Sequence, residues 1–249
     1  MSKTILITGA SSGLGAEMSR QFAALGYDLA LCARRIDRLT ELKDELGAGH
    51  PGQRVEVRVL DVNDDDQVFE VFRAFANDFG TIDRVVVNAG LGKGAPLGTG
   101  GYHANRQTAM TNFVAALAQT EAAMEIFREQ NAGHLVMISS MSAMRGLPES
   151  VTTYAATKAG VAHLAEGLRM ELLNEPINVT VIYPGYIRTE LNEEIKNAPF
   201  MVSAQRGVRA MVEAIEKEKS RAFVPPWPWT PLSVVMKYLP LRLAKKLMS

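Results

Sequence analysis

Cysteine is nearly absent: the 249 residues hold one, Cys32. A lone thiol excludes an internal disulfide and any site built on several thiolates, and it suits a reducing compartment. Histidine is scarce as well. His50, His103, His134 and His163 are scattered without ligand spacing, so no metal site is expected. Neither sign of charge is in excess, with 27 Lys and Arg against 27 Asp and Glu. A neutral chain lacks the basic field that a phosphate backbone requires, which argues against nucleic acid as a partner. Long apolar runs are missing too. No stretch approaches the roughly 18 residues of a membrane span, and the segment before Gly9 is too short for a signal peptide. What remains is a globular composition, 47% apolar and 22% charged, which rules out disorder. The length suits one α/β domain, expected in the cytoplasm.

Strand-like and helix-like patterns alternate along the chain. Short β-branched or apolar runs stand at Thr4–Thr8, Asp28–Ala33, Arg54–Leu60, Arg84–Asn88, His134–Ser139, Asn178–Tyr183 and Ala222–Val224. Helical periodicity fills the intervals at Leu14–Leu25, Arg38–Leu46, Asp65–Asp78, Ala104–Gln130, Tyr154–Asn174 and Ala204–Glu218. Strict alternation builds a parallel sheet through right-handed crossovers. The predicted fold is a doubly wound, Rossmann-like sheet of about seven strands with helices on both faces. The glycine-rich stretch Gly90–Gly101 reads as a loop at a strand end, where ligands bind in such sheets.

The first strand runs into Gly9-Ala10-Ser11-Ser12-Gly13-Leu14-Gly15, and a helix begins at once. Such a turn must bring backbone close to a pyrophosphate, and the helix then offers unpaired N–H groups and its positive dipole end. A dinucleotide site is predicted here. The second strand closes on Ala33 followed by Arg34 and Arg35. An acid at that place would accept a ribose hydroxyl and select NAD, whereas Arg34 can grip a 2′-phosphate, with Ser11 as a hydroxyl donor. NADP(H) is therefore expected over NAD(H). The competing reading makes Arg34 and Arg35 the start of a solvated helix with Asp37 and Glu41. Asp61 and Val62, after the third strand, sit where a carboxylate could accept from an adenine amino group.

Tyr154 and Lys158 lie four apart, hence on one helical face. A phenol with its ordinary pKa near 10 exchanges protons poorly at neutral pH, and a neighbouring cation is expected to lower it. Ser140, fourteen residues upstream at a strand end, can donate to a substrate oxygen. Tyr-x-x-x-Lys alone is common on helices. Its combination with a dinucleotide turn is what points to chemistry.

These residues carry a resemblance to the short-chain dehydrogenases/reductases, extending to about Val224. The matching segments stand in order: the Thr8–Gly15 turn, Asp61-Val62, Asn88-Ala89-Gly90, Asn112, Ser140, Tyr154 with Lys158, and Pro184-Gly185 through Thr189. The resemblance implies hydride transfer between a nicotinamide and a carbonyl or alcohol carbon. It makes Ser140, Tyr154 and Lys158 the catalytic group, and Asn112 the residue whose backbone holds a water beside the lysine. It gives Asn88, Ala89 and Gly90 a place near the cofactor ribose, and Pro184, Gly185, Ile187 and Thr189 contacts with the nicotinamide. Lys158 would also hold the ribose hydroxyls. Ser139 and Ser142 compete with Ser140 for its role, and Ser140 is kept because it follows the strand. NADP-preferring members of that family often carry a basic residue just before the second turn glycine, where this chain has Ser12, which leaves Arg34 as the main discriminator. A homodimer or homotetramer through Ala104–Gln130 and Tyr154–Asn174 is also implied.

The substrate is expected to be a small hydrophobic carbonyl or alcohol, bound by Ser140, Ser142, Tyr186 and Leu191. Leu91, Met141, Met144, Leu147, Phe200 and Met201 are further candidates, and the family's mobile lid would fall at about 190–202. These apolar side chains could equally do no more than pack the lid. Residues 1–224 then form the dinucleotide-binding domain and 225–249 a separate tail. After Glu218 no acid occurs, while Lys219, Arg221, Lys237, Arg242, Lys245 and Lys246 are basic. Pro225-Pro226-Trp227-Pro228-Trp229 is expected to break any helix. The tail could lie on an anionic membrane, cover the substrate mouth, or pack on a neighbouring subunit. Two alternatives to an enzyme are a silent NADP-binding regulator and a membrane-associated protein with a vestigial site. The intact Ser140, Tyr154 and Lys158 argue against the first.

Overall fold

The apolar run Thr4–Thr8 forms β1, and every residue in it is buried. In the computed structural model, which describes residues 2–192 and 198–248, β1 pairs in parallel with β2 (Asp28–Ala33) on one side and β4 (Arg84–Val87) on the other. β3 (Val55–Val59) lies outside β2, and β5 (Gly133–Ile138), β6 (Ile177–Pro184) and β7 (Arg221–Val224) follow beyond β4. The order is β3-β2-β1-β4-β5-β6-β7, all parallel. The seven predicted strands all form, with ends moved by no more than one residue. The chain winds outward one way from β1 and then the other way from β4. The crevice between the carboxyl ends of these two strands is where such a sheet offers a ligand site.

Parallel neighbours need crossovers, and helices supply them on both faces. Alternation along β1 divides the core. Ile5 and Ile7 face α1 (Gly13–Ala24), α2 (Ile36–Gly49) and α7 (Ala204–Glu216), packing with Phe22, Leu39 and Met211. Leu6 faces the layer of α3 (Asp65–Phe79) and the helices that follow β4 and β5, with Phe72, Phe75 and Phe127. These side chains are fully buried, and each stabilises the fold by roughly 1.5–3 kcal/mol. α3 starts on an Asp64 cap that accepts from the Gln67 N–H.

Two elements differ from the sequence expectation. The helix expected over Ala104–Gln130 starts earlier, as α4 (Tyr102–Ala109), passes through a π-helical turn at Met110–Val114, and continues as α5 (Ala115–Gln130). One extra residue in a turn leaves the apolar periodicity on either side intact, so the pattern could not reveal it. π turns gather at functional positions, and this one carries Asn112. The tail, too, is helical: α8 (Pro226–Tyr238) and α9 (Leu241–Met248). Inside α8 Trp227 alone has non-helical dihedrals. Regular helix resumes at Pro228, which falls where a first turn needs no N–H partner, and Pro231, inside the helix, gives up one backbone bond. Trp229, Leu232 and Met236 of α8 join the core layer that contains Phe127. Among the described residues no helix is long and apolar enough to cross a membrane.

Candidate active site

At the end of β1 the chain turns through Gly9 and enters α1, whose N-cap Ser12 makes no side-chain cap and whose first turn holds no acid. The opening N–H groups are left to whatever occupies the crevice, an arrangement that fits a pyrophosphate. A Cβ on Gly15 would lie 2.4 Å from the Gly9 carbonyl oxygen and 2.8 Å from Asn88 Nδ2. Only glycine lets the helix start this close to the sheet. Asn88 holds the two central strands together: its Nδ2 donates to the Thr8 carbonyl at 2.9 Å, and Thr8 Oγ1 accepts from the Asn88 and Ala89 N–H groups at 3.0 and 3.1 Å.

After β2 come Arg34 and Arg35, both lining the cleft. Arg35 donates to Ser11 Oγ at 3.2 Å and to Ser12 Oγ at 2.6 Å. Its guanidinium also lies 3.5 Å from Glu190, which Arg38 meets at 2.7 Å. These exposed pairs are worth little in stability, but they hold the Arg35 cation beside the glycine turn. After β3, Asp61 accepts from the Asn63 N–H and Nδ2, both at 3.0 Å, which fixes its carboxylate at the cleft wall.

β5 leads into Ser139 and Ser140, followed by a 3₁₀ turn at Met141–Met144. Ser140 Oγ accepts from the Ser142 N–H at 3.2 Å. α6 (Thr152–Glu171) carries Tyr154 and Lys158 one turn apart. Lys158 is buried, donates from Nζ to the Ile138 carbonyl at 2.9 Å, and lies 5.9 Å from the centre of the Tyr154 ring. Ser139 Oγ anchors this helix by donating to the Lys158 carbonyl at 2.7 Å. Burial disfavours charge on both titrating groups. It pulls the Lys158 ammonium down to about 8. It raises the Tyr154 phenol above its usual range, against a smaller lowering from the hydrogen bond with Ser140. The lowering expected from Lys158 is not found: desolvation governs the phenol, and the one opposing influence comes from Ser140.

One cleft of about 450 Å³ joins these parts, within the usual range for ligand pockets. Of the predicted residues, Gly9, Ser11, Ser12, Gly13, Leu14, Arg34, Asp61, Val62, Asn88, Ala89, Gly90, Ser140, Tyr154, Lys158, Pro184, Gly185, Ile187 and Thr189 all line it. Gly15, Asn112, Ser142 and Tyr186 are not among its lining residues. Asn112 stands behind the wall: its Oδ1 accepts from the Leu91 N–H and its Nδ2 donates to the Leu91 carbonyl, both at 2.8 Å. The side chain of Leu191 and residues 193–197 of the expected lid lie outside the described residues. Sequence reasoning missed Arg35, and also Asn192, which braces the stretch after β6 through the Thr189 N–H at 2.9 Å and the Ile187 carbonyl at 2.7 Å. Adjacency to Arg34 was the only signal for Arg35. Asn192 carried none, and Thr8 stood in the turn motif without its bonds to the Asn88 and Ala89 N–H groups being legible. Among the described residues no group of three or more His, Cys, Asp or Glu side chains could hold a metal ion.

Comparison with known proteins follows this geometry. The sequence pattern described as short chain dehydrogenase matches residues 3–199. A Mycobacterium tuberculosis protein described as an uncharacterized oxidoreductase is 53% identical over 242 residues, 97% of this chain and 96% of its own. The alcohol dehydrogenase of the archaeon Thermococcus sibiricus, solved with 5-hydroxy-NADP, superposes with a TM-score of 0.80 at 25% identity, over 90% of this chain and 96% of its own. A short chain dehydrogenase/reductase of Burkholderia phymatum, solved with NAD, shares the fold with a TM-score of 0.85 at 22% identity, over 98% and 95%.

Proposed function

This chain belongs to the short-chain dehydrogenase family, and on that premise we propose that it is an NADP(H)-dependent oxidoreductase interconverting a carbonyl and an alcohol on a small hydrophobic molecule. The observation that carries the reading is the single cleft onto which both the glycine turn and the Ser140, Tyr154 and Lys158 group open.

Bound cofactor would supply the hydride at its nicotinamide ring. The opening N–H groups of α1 would hold the pyrophosphate, and Arg34 and Arg35 a 2′-phosphate. Asp61 would accept from the adenine amino group, and the stretch from Pro184 to Thr189 would face the nicotinamide. In the reducing direction Ser140 Oγ donates a hydrogen bond to the carbonyl oxygen, and this bond strengthens as negative charge grows there. Tyr154 gives its proton to that same oxygen. A phenol held above its usual range keeps this proton until the oxygen becomes basic. Lys158, pulled down to about 8, stabilises the phenolate once formed and can return a proton to it. In the oxidising direction the same groups run in reverse.

An apolar substrate is favoured by the surroundings of the β5 and β6 ends: Met141 is buried there, and Tyr186 and Phe200 stand edge-on to Trp229. Exposed Phe113, Val114 and Leu117 on the α5 side favour self-association into a dimer or tetramer, which light scattering would read. The reaction is tested by NADPH and NADH consumption across a panel of apolar ketones, with wild type and Tyr154→Phe. Turnover with NADPH that vanishes in the variant, while NADPH still binds by fluorescence titration, is the expected result. Wild-type turnover from Tyr154→Phe would overturn the assignment.

A further inference from the structure

α8 has two apolar faces. One, with Trp229, Leu232 and Met236, packs into the core. The other consists of Trp227, Pro231, Val234, Val235 and Tyr238, continued by Leu241 at the start of α9. All are exposed, Trp227 by 78%, Tyr238 by 73% and Leu241 by 77%. Steps of three and four residues set Pro231, Val234, Val235 and Tyr238 along one line of the helix, with exposed Trp227 before its regular part and Leu241 after its end. A surface helix ordinarily turns polar groups outward, so this line needs a cover.

The charges beside it say which. Lys237, Arg242 and Lys245 are exposed next to the apolar line, and the tail contains no acid. A second copy packed on the same line about a two-fold axis would bring like charges together with nothing to offset them. An anionic lipid surface meets both requirements: it accepts the apolar side chains, attracts the cations, and takes Trp227 and Tyr238 at headgroup depth. We infer that α8 and α9 form a peripheral docking face for anionic membranes. This inference is independent of the reaction proposed above.

Flotation of the full-length protein with vesicles provides the test. It should rise with vesicles of equimolar phosphatidylcholine and phosphatidylglycerol at low salt and stay behind with pure phosphatidylcholine. High salt should release it, since screening weakens each cation's pull. Two variants divide the contribution: Val234→Ser/Tyr238→Ser/Leu241→Ser, and the charge reversal Lys237→Glu/Arg242→Glu/Lys245→Glu. Each should bring the bound fraction to background, with an unchanged melting temperature showing that the fold is kept. The reversal alters only exposed cations and serves if the first variant fails to fold. No flotation with the anionic vesicles would overturn the inference. So would apolar-line variants that still float but lose mass in light scattering, because the cover would then be another copy of this chain.

Discussion

Replacing Asn112 with Ala should destabilise the protein and slow turnover through one cause. The side chain is 1% exposed and spans from the π turn to the loop after β4, pairing both polar groups of Leu91 at 2.8 Å. Truncation removes two hydrogen bonds, each worth about 1 kcal/mol net, and leaves the Leu91 N–H and carbonyl short of partners, which adds about another 1 kcal/mol. The expected loss is about 3 kcal/mol, or a fall in melting temperature of roughly 6–12 °C for a chain of this size. Because Leu91 and Gly90 line the cleft, kcat should fall with it. Thr111→Ala is the control. It sits in the same π turn and gives up one bond, to Asn63 at 3.0 Å, so it should cost about 1 kcal/mol. Urea unfolding of the three proteins at neutral pH provides the comparison. Equal losses in the two variants, or a loss below about 0.5 kcal/mol for Asn112→Ala, would refute the bridging role of this side chain.

Three further outcomes follow from the charged and titrating groups. Arg34→Asp should raise KM for NADPH about tenfold or more, the equivalent of one charge-assisted bond, and turn preference toward NADH. An unchanged ratio of the two cofactors' kcat/KM would remove the 2′-phosphate from this place. His134 is buried, lies 2.7 Å from Thr180 Oγ1, and is held at about 3 by burial and by the positive charge of Arg84. Below its ordinary 6.5 the unfolded chain takes up a proton that the folded one refuses, so stability falls with pH from there toward 3. The loss by pH 5 should be about 2 kcal/mol, visible in urea midpoints and missing from His134→Leu. Lys158 works in the alkaline range. Its folded value of about 8, against an ordinary 10.5, makes charged burial costly at neutral pH, and stability recovers as pH rises through that window. Lys158→Met should therefore be more stable than wild type at pH 7 by about 2 kcal/mol, an advantage that disappears near pH 10. A variant less stable at pH 7 would contradict this.

How much of this was legible in the sequence depends on distance along the chain. β1 and β2 are short apolar runs with sharp ends, and periodicity placed them to the residue. The Gly9–Gly15 turn and the Tyr154–Lys158 pair were equally plain, because each is a local pattern whose geometry follows from one turn of backbone. Arg35 was hidden by Arg34: adjacent residues after a strand point apart, and only the folded turn decides which one meets Ser11 and Ser12. Asn112 gave its position but not its role, since its partner at Leu91 is a backbone group with no sequence signature. The π turn adds one residue to a helix that looks regular from either side. In the tail the prolines argued against helix, yet most precede or open it and Pro231 gives up one bond, and the inward apolar residues Trp229, Leu232 and Met236 decided the outcome.

Arg145 joins the two ends of the molecule that matter most. Its guanidinium clasps the last carbonyls of α8, Met236 at 3.0 Å and Leu239 at 2.7 Å, and its own backbone closes the 3₁₀ turn that begins beside Ser140. The Trp229 indole packs against Gly185, so near that a Cβ there would meet it at 2.1 Å. The C-terminal helix and the serine are thus coupled in series, like a handle and the jaw it works. Any load that tilts the handle reaches the serine hydroxyl through one side chain and five residues of backbone.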